Sequence, residues 1–160
     1  MINWLTVRNF IIVRDVEVVF SPGMTVLTGE TGAGKSLIVD AMAILLGDRT
    51  SADIIRPGAD STEIQAGFDV SANPQAMAWL AEQALTSDDD ECILRRIVFD
   101  DKASRGFVNG RPVPIQSLRA VGDLLVDIHG QNEHHLLLKR DVQRTTLDAF
   151  AHIQSTVTQM

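Results

Sequence analysis

The sequence predicts an α/β protein in which a strand, a glycine-rich loop and a helix follow one another near the amino terminus. Residues 24–28 form a short apolar run rich in β-branched side chains, which predicts a strand. Residues 29–36 read Gly-Glu-Thr-Gly-Ala-Gly-Lys-Ser, and residues 37–46 carry apolar side chains at helical spacing. Further strand patterns on both sides make this unit part of a β-rich chain.

The segment at 29–36 matches the phosphate-binding pattern G-x-x-x-x-G-K-[ST], and its strand and helix flanks are the context that this pattern requires. Glycines let backbone N–H groups approach phosphate oxygens, and the following helix adds its positive end. We expect Lys35 to be a catalytic residue that reaches the β- and γ-phosphates, and the Ser36 hydroxyl to bind Mg²⁺. The predicted nucleotide contacts in the loop are Gly29, Glu30, Thr31, Gly32, Ala33, Gly34, Lys35 and Ser36.

Length and composition limit the possible function classes. A chain of 160 residues with 45% hydrophobic residues fits one domain with a substantial core. No apolar run approaches the ~20 residues of a membrane span, and the first residues lack a secretory pattern, so we expect a cytoplasmic protein without a membrane partner. The single cysteine, Cys92, excludes an internal disulfide framework, and we expect it to be a small buried apolar residue.

The charge distribution is acidic, with one local exception. Fourteen basic and twenty-one acidic residues give a net charge of −7, which argues against a chain coated with phosphate-binding charge. The exception is a basic cluster made of Arg95, Arg96, Lys102, Arg105 and Arg111. We interpret this cluster as exposed strand charges beside a solvated loop, in preference to a nucleic-acid contact.

Periodicity and turn residues predict the other elements in chain order. Alternating side chains predict strands over residues 4–8 and 13–20, and Ser-Pro-Gly at 21–23 predicts a turn. A polar loop over 48–62 contains a short predicted helix around 52–56. Asn73 as a cap and Pro74 at the first position favour a helix that follows, and Asn109-Gly110 predicts a hairpin turn. The later elements are strands over 63–70 and 92–99, a helix over 74–85, a hairpin over 105–113, a helix over 115–121 and a buried strand over 124–128.

A second polar segment, Asp-Ile-His-Gly-Gln at 127–131, follows the predicted buried strand. Ligands of open α/β sheets bind at the carboxyl ends of strands. In one interpretation, Gln131 is the Q-loop glutamine of an ABC-type ATPase, where it is catalytic and contributes an oxygen to Mg²⁺. In another, the apolar strand and Asp127 form a Walker B motif whose carboxylate holds the metal. In a third, both are ordinary turn residues.

Three segments together resemble the amino-terminal head segment of the RecN family, SMC-like proteins of bacterial DNA double-strand-break repair. They are Leu-Thr-Val-Arg-Asn-Phe at 5–10, residues 23–36 with the glycine-rich loop, and residues 127–131. Residues 46–59 and the hairpin at 105–110 fit as well. The resemblance implies a P-loop ATPase fold of the ABC type: a head lobe with a β-rich amino-terminal portion and a hairpin insertion, ending in the root of a coiled coil.

The resemblance also implies site residues and domain bounds. Residues 1–138 become the amino-terminal lobe of the head, and residues 139–160 become a helix leading toward the coiled coil. ATP and Mg²⁺ are the implied cofactors, with Arg8 and Asn9 approaching the nucleotide and Gln131 as the Q-loop residue. The remaining arginines of the polar loop, Arg49 and Arg56, are candidates for a phosphate contact, a head–head interface or structural salt bridges.

The family implies partners that this sequence does not supply. A carboxyl-terminal lobe carries the signature motif, Walker B and the catalytic Glu, none of which we find in these 160 residues. ATP then joins two heads of a homodimer, and the assembled protein engages DNA at the nucleoid. By this resemblance, the chain by itself binds Mg-ATP weakly and hydrolyses it negligibly.

Two other function classes stay open at this stage. A self-contained P-loop kinase or GTPase would use Asp127 as Walker B, although the Asn-Lys-x-Asp guanine motif is absent from the sequence. A non-enzymatic DNA-binding or assembly module would use the arginines between 95 and 111, against the net acidity of the chain. The loop itself does not distinguish ATP from GTP, because it contacts phosphates and not the base.

Overall fold

The structure, a computed structural model, describes residues 1–29, 35–87, 89–126 and 128. Apart from Ile128, these belong to one compact unit, Met1–Asp127. Its strands are β1 (Ile2–Phe10), β2 (Val13–Val19), β3 (Ser61–Asp69), β4 (Glu91–Phe99), β5 (Arg105–Val108) and β6 (Arg111–Val113). Its helices are α1 (Lys35–Leu45), α2 (Pro74–Glu82) and α3 (Ile115–Leu125), with a 3-10 turn at Ala52–Ile54. No helix within these ranges has the length and apolar character needed to cross a bilayer.

The six strands form one sheet in the order β2-β1-β3-β4-β5-β6, and every neighbouring pair is antiparallel. The longest ladder pairs β3 with β4 over nine positions, from Ser61 opposite Phe99 to Asp69 opposite Glu91. Side chains alternate between the two faces of a strand, so one face of the sheet is buried beneath the helices. The buried side chains of β4 on this face are Cys92, Leu94, Arg96 and Val98.

The end of α1 packs closely against α3. A Cβ on Gly47 would lie 2.9 Å from the Cβ of Arg119, and a Cβ on Gly122 would lie 2.9 Å from Cδ2 of Leu46. Real Cβ atoms do not approach so closely, so glycine at these two positions permits the contact. The two helices are therefore fixed against each other at the carboxyl end of α1.

The predicted hairpin is confirmed at Asn109-Gly110, which joins β5 to β6. Both residues have positive φ, 48° and 76° respectively, as a type I′ turn requires. The Asn109 side chain also accepts a hydrogen bond from the Ile93 N–H at 2.7 Å and donates one to the Leu85 carbonyl at 2.7 Å. The short strand β6, with Pro112 at its centre, forms one edge of the sheet, and β2 forms the other.

Most of the predicted elements are confirmed with small shifts of their ends. The helix expected over 37–46 begins at Lys35, and the helix expected over 74–85 ends at Glu82. The helix expected around 52–56 is the 3-10 turn Ala52–Ile54. The strands expected over 4–8, 13–20, 63–70 and 92–99 are β1, β2, β3 and β4.

The strand predicted over residues 24–28 is wrong for the part of the chain that the structure describes. These residues form no strand, and their apolar side chains face solvent, with Met24 at 92% and Val26 at 64% exposure. A strand exists only where a neighbour pairs with its N–H and C=O groups. None of the described strands pairs with this run.

The buried strand predicted over residues 124–128 is also wrong where it can be compared. Leu124 and Leu125 form the last turn of α3, and the Val126 N–H donates to the Gly122 carbonyl at 3.0 Å. Short apolar runs fit a strand and a buried helix turn equally well. Here the buried residues Leu118, Val121 and Gly122 extend the helical spacing of the predicted helix at 115–121. Asp127 lies outside the described residues.

Asn73 links α2 to α3, and its replacement tests how much that link stabilises the unit. Its Oδ1 accepts from the Ala76 N–H at 3.1 Å, and its Nδ2 donates to the Leu124 carbonyl at 2.7 Å. We expect Asn73→Ala to lower the free energy of unfolding by about 2 kcal/mol, since a cap and a second hydrogen bond are each worth about 1 kcal/mol. Urea denaturation measures the change.

Asn73→Ser is the matched control, because a serine hydroxyl caps a helix but is too short to reach Leu124. We expect it to lose about 1 kcal/mol, half of the alanine effect. Equal losses for the two variants would show that the cap on α2 contributes nothing measurable.

Candidate nucleotide-binding site

The described part of the glycine-rich loop is its junction with α1. Gly29 is exposed, α1 begins at Lys35, and Ser36 is exposed in its first turn. The helix predicted after the loop is thus confirmed, and Glu30–Gly34 lie outside the described residues. The first turn of any helix has N–H groups without intrahelical partners and the positive end of the dipole. The Ser36 hydroxyl is therefore placed where an anion and its counter-ion bind favourably.

The carboxyl end of α1 is closed by a Schellman motif. Gly47 has φ of 105°, its N–H donates to the Ile44 carbonyl at 3.1 Å, and the Asp48 N–H donates to the Ala43 carbonyl at 3.1 Å. These two bonds satisfy carbonyls that have no partner inside the helix. Glycine is favoured here because its backbone is left-handed.

Arg96 of β4 adds a buried cation at this same end of α1. The residue is 4% exposed, and its Nη1 donates to the carbonyls of Ile44 and, at 2.7 Å, of Asp48. Burial lowers the pKa of the guanidinium, and the nearby Asp48 acts in the opposite direction. Arginine nevertheless stays charged in proteins, and a cation is favourable at the negative end of a helix.

The expectation that Arg96 is an exposed strand charge is wrong. In the alternation of β4, Cys92, Leu94, Arg96 and Val98 share one face. That alternation was the signal in the sequence, because a cation in register with three apolar residues must be buried with them. Its partners were not visible, since they lie on a separate helix.

The end of β1 places Arg8 and Asn9 at one corner with Arg56. Asn9 has φ of 51°, and its carbonyl accepts from the Arg56 N–H at 2.9 Å. The Arg8 carbonyl accepts from the Thr62 hydroxyl at 2.8 Å. The backbones of Asn9 and Arg56 therefore meet, directly beside Arg8 in the chain.

The Arg8 side chain is exposed at this corner and pairs with Asp15, with 3.5 Å between Nε and Oδ1. Exposed ion pairs contribute at most about 1 kcal/mol, so a ligand phosphate can compete with the carboxylate for this guanidinium. Arg49 is exposed just beyond the end of α1. Gln131 and Asp127, the two candidates of the second polar segment, lie outside the described residues.

The basic cluster at 95–111 does not form one exposed patch. Arg95 is half-buried and contacts Glu63 and the ring of Phe107. Lys102 and Arg105 are exposed, and both lie over the ring of Phe99. The exposed Arg111 donates to the Ala84 carbonyl. Arg96 lies on the other face of the sheet. These contacts support the structural interpretation of the cluster over a nucleic-acid contact.

Cys92 is buried within the helix-covered face of the sheet, as expected for a small apolar residue. Burial raises the pKa of its thiol to about 12, and the negative charge of Glu91 adds to the effect. A thiol with such a pKa has almost no thiolate near neutral pH, so it is a poor nucleophile. Cys92 is therefore a core residue.

A family model described as an AAA domain matches residues 5–150. The chain belongs to the AAA domain family. This AAA domain is 44% identical to DNA repair protein RecN of Vibrio cholerae, 46% to RecN of Xylella fastidiosa strain Temecula1 and 40% to RecN of Bacillus subtilis, each over 151 residues. The resemblance to RecN is thus confirmed.

The AAA domain corresponds to only part of these relatives. Each match covers 94% of the chain but 26% or 27% of the RecN protein. The chain therefore spans about a quarter of the length of the curated relatives that it matches. The activity and the partners of the whole RecN proteins are therefore only proposed for this chain.

Solved structures show the fold of the AAA domain. An SMC ATPase, from a study of ATP-driven dimerization and DNA-stimulated activation, superposes with a TM-score of 0.63 at 23% identity, covering 92% of this chain and 97% of that one. An Smc head bound to the C-winged helix domain of ScpA gives 0.62 at 25% identity, covering 82% and 42%. RecF with ATP gives 0.58 at 15% identity, covering 93% and 38%. The predicted fold class, a P-loop ATPase head lobe, is confirmed.

The burial of Cys92 predicts a thiol that reacts only after unfolding. We expect a disulfide reagent to leave the folded chain unlabelled at about pH 8 and to label it in denaturant, where the pKa returns to about 8.5. Because Cys92 is the single cysteine, the absorbance of the thiolate that the reagent releases measures labelling at this residue alone. Rapid labelling of the folded chain would contradict the burial.

The same thiol makes stability depend on alkaline pH. A raised folded-state pKa leaves its stabilising contribution intact below the unfolded pKa, and that contribution is lost as the pH rises from about 8.5 toward the folded value, which is about 12. Cys92→Ala removes the group, so its free energy of unfolding should fall less steeply over that window. Equal slopes for the two proteins would contradict the raised pKa.

Proposed function

We propose that this chain is the ATP-binding lobe of an SMC-like ATPase that acts in DNA double-strand-break repair and recombination. The observation that carries the proposal is that the phosphate-binding pattern at 29–36 runs into the first turn of α1, where Ser36 is exposed, on a fold shared with SMC heads. The similarity to RecN over 94% of the chain supports the repair role.

The loop and the start of α1 bind different parts of Mg-ATP. The glycines and the first turn of α1 hold the phosphates, and Lys35 contributes a point charge to the β- and γ-phosphates. Mg²⁺ prefers oxygen ligands, and the exposed hydroxyl of Ser36 fits that preference. Gln131 supplies the second protein oxygen near the metal, and the corner of Arg8 and Asn9 approaches the nucleotide from β1.

The carboxyl-terminal lobe of the same head is the first proposed partner. Residues 24–28 support this, because their apolar and β-branched side chains favour a strand. These residues are exposed, and no strand of the described sheet pairs with them. A strand from a second lobe would pair with their backbone and cover Met24 and Val26. We propose accordingly that residues 1–138 form the amino-terminal lobe and that residues 139–160 lead toward a coiled coil.

The second partner is another head. In the whole protein, ATP bound between two heads holds a homodimer together, and its hydrolysis releases them, so the γ-phosphate acts as a switchable contact. DNA is engaged by the assembled dimer in the cytoplasm, at the nucleoid, more than by this acidic lobe. The signature motif, Walker B and catalytic Glu that hydrolysis requires come from the other lobe.

Lys35→Ala tests the phosphate site. In the full-length protein we expect it to weaken Mg-ATP binding by about 30-fold or more, because hydrogen bonds to charged groups contribute about 1.5–3 kcal/mol each. Calorimetric titration measures the affinity. Lys102→Ala is the matched control, since its ammonium lies over the Phe99 ring in an exposed loop, and it should bind like the wild type.

The 160-residue chain tests the division of the head. By itself it should bind Mg-ATP weakly and show negligible turnover, because half of the catalytic groups are absent. Robust hydrolysis by this chain, abolished by Lys35→Ala, would show that the site is complete without a second lobe.

Replacing Gln131 and Asp127 separately decides between the Q-loop and Walker B interpretations. We expect Gln131→Ala to slow ATP hydrolysis by the full-length protein about 100-fold while Mg-ATP still binds, since one catalytic polar group is worth about that factor. Asp127→Ala should have the smaller effect. Loss of metal-dependent binding in the Asp127 variant alone would favour a self-contained kinase or GTPase.

A further inference from the structure

We propose that Arg96 is a positioning residue for phosphate binding, which it serves by fixing the carboxyl end of α1 to the sheet. The inference rests on the proposed function, because it concerns the same phosphate site. Arg96 itself does not touch the nucleotide. Its guanidinium lies at the far end of an eleven-residue helix, which is about 16 Å long.

The first support is the distribution of burial along α1. Its buried side chains are Ala41, Met42, Ile44 and Leu45, all in the second half of the helix. In the first half, Ser36, Val39 and Asp40 are exposed, and Leu37 and Ile38 are half-buried. Burial is therefore deepest in the carboxyl half of α1, so the position of the phosphate-binding end depends strongly on how that half is anchored.

The second support is the specificity of the anchor. Apolar packing alone lets a helix slide or rotate by small amounts, whereas hydrogen bonds from one guanidinium to two carbonyls fix both its depth and its rotation. Arg96 contacts the carbonyls of Ile44 and Asp48, on either side of the Gly47 turn. The cation and the negative helix end also attract each other in a buried, weakly screened setting.

The third support is the confinement of the arginine itself. Its neighbours in register are Ile64 on β3 and Gly106 on β5. A Cβ on Gly106 would lie 2.8 Å from Cδ1 of Leu118, so α3 closely covers the sheet beside the guanidinium. With α3 also packed against Gly47, the end of α1 is held from the sheet and from the neighbouring helix at once.

The experiment compares three variants of the full-length protein. Arg96→Met keeps a side chain of similar length but removes the charge and the donors. Arg96→Lys keeps the charge and at most part of the hydrogen bonding. Val108→Ala is the matched core control, because Val108 is fully buried on β5 on the same side of the sheet and its truncation leaves the bonds of Arg96 in place.

Mg-ATP affinity is measured by calorimetric titration at a temperature where urea curves show every variant folded. A misplacement of about 1 Å can cost about 100-fold in reaction rate, and we expect the same displacement of phosphate-binding groups in Arg96→Met to weaken Mg-ATP binding about tenfold or more. Arg96→Lys should recover part of this loss. Val108→Ala should stay within about twofold of the wild type, even if it loses as much stability. Hydrogen exchange of the amides in residues 38–40, which lie beyond the unbonded first turn, should be faster in Arg96→Met than in the wild type or in Val108→Ala.

Wild-type affinity in Arg96→Met, or equal weakening in Arg96→Met and Val108→Ala, would overturn the inference. If Arg96→Met does not fold, Arg96→Lys decides: weaker binding than in Val108→Ala supports the role, and unchanged binding overturns it. Failure of the wild-type protein to bind Mg-ATP would instead overturn the proposed function. Normal binding by the wild type with no effect at Arg96 overturns only the positioning role.

Discussion

The nine-position pairing of β3 with β4 is the constraint on which the rest of the structure depends. It decides which side chains line the helix-covered face, where Ile64, Ala66 and Leu94 are fully buried and Arg96 lies among them. A slip of one residue reverses the faces of a strand. It would place Arg95 beneath α1 and Arg96 on the open face, removing the anchor of the helix together with part of the core.

The parts of the fold that could be predicted are those whose causes are local. Asn73 and Pro74 mark the start of α2 wherever it packs, and Asn109-Gly110 specifies its turn by backbone conformation alone. Whether residues 24–28 form a strand could not be predicted from the sequence, since a strand requires a neighbour that pairs with its backbone. The apolar run at 124–126 fitted a helix and a strand equally well, and the structure makes Leu124 and Leu125 the last residues of α3.

In the candidate site, too, local features could be predicted and long-range contacts could not. The start of α1 directly after the loop was predictable, because the phosphate-binding pattern and its helix are contiguous in sequence. The meeting of Asn9 with Arg56 and the bonds from Arg96 to Ile44 were not, because each joins residues more than forty positions apart. Arg8 and Asn9 entered through resemblance alone, and the structure adds that the left-handed backbone of Asn9 shapes their corner.

The two edges of the sheet have a consequence for aggregation. An open edge offers unpaired N–H and C=O groups to any other extended chain, and long apolar edges seed fibrils. β6 has three residues with Pro112, which lacks an N–H, at its centre, and β2 exposes Arg14, Asp15 and Glu17. Neither edge is a good template for adding strands from further molecules. Both edges of the described sheet are thus protected, which favours a discrete layer over strand-by-strand growth at high protein concentration.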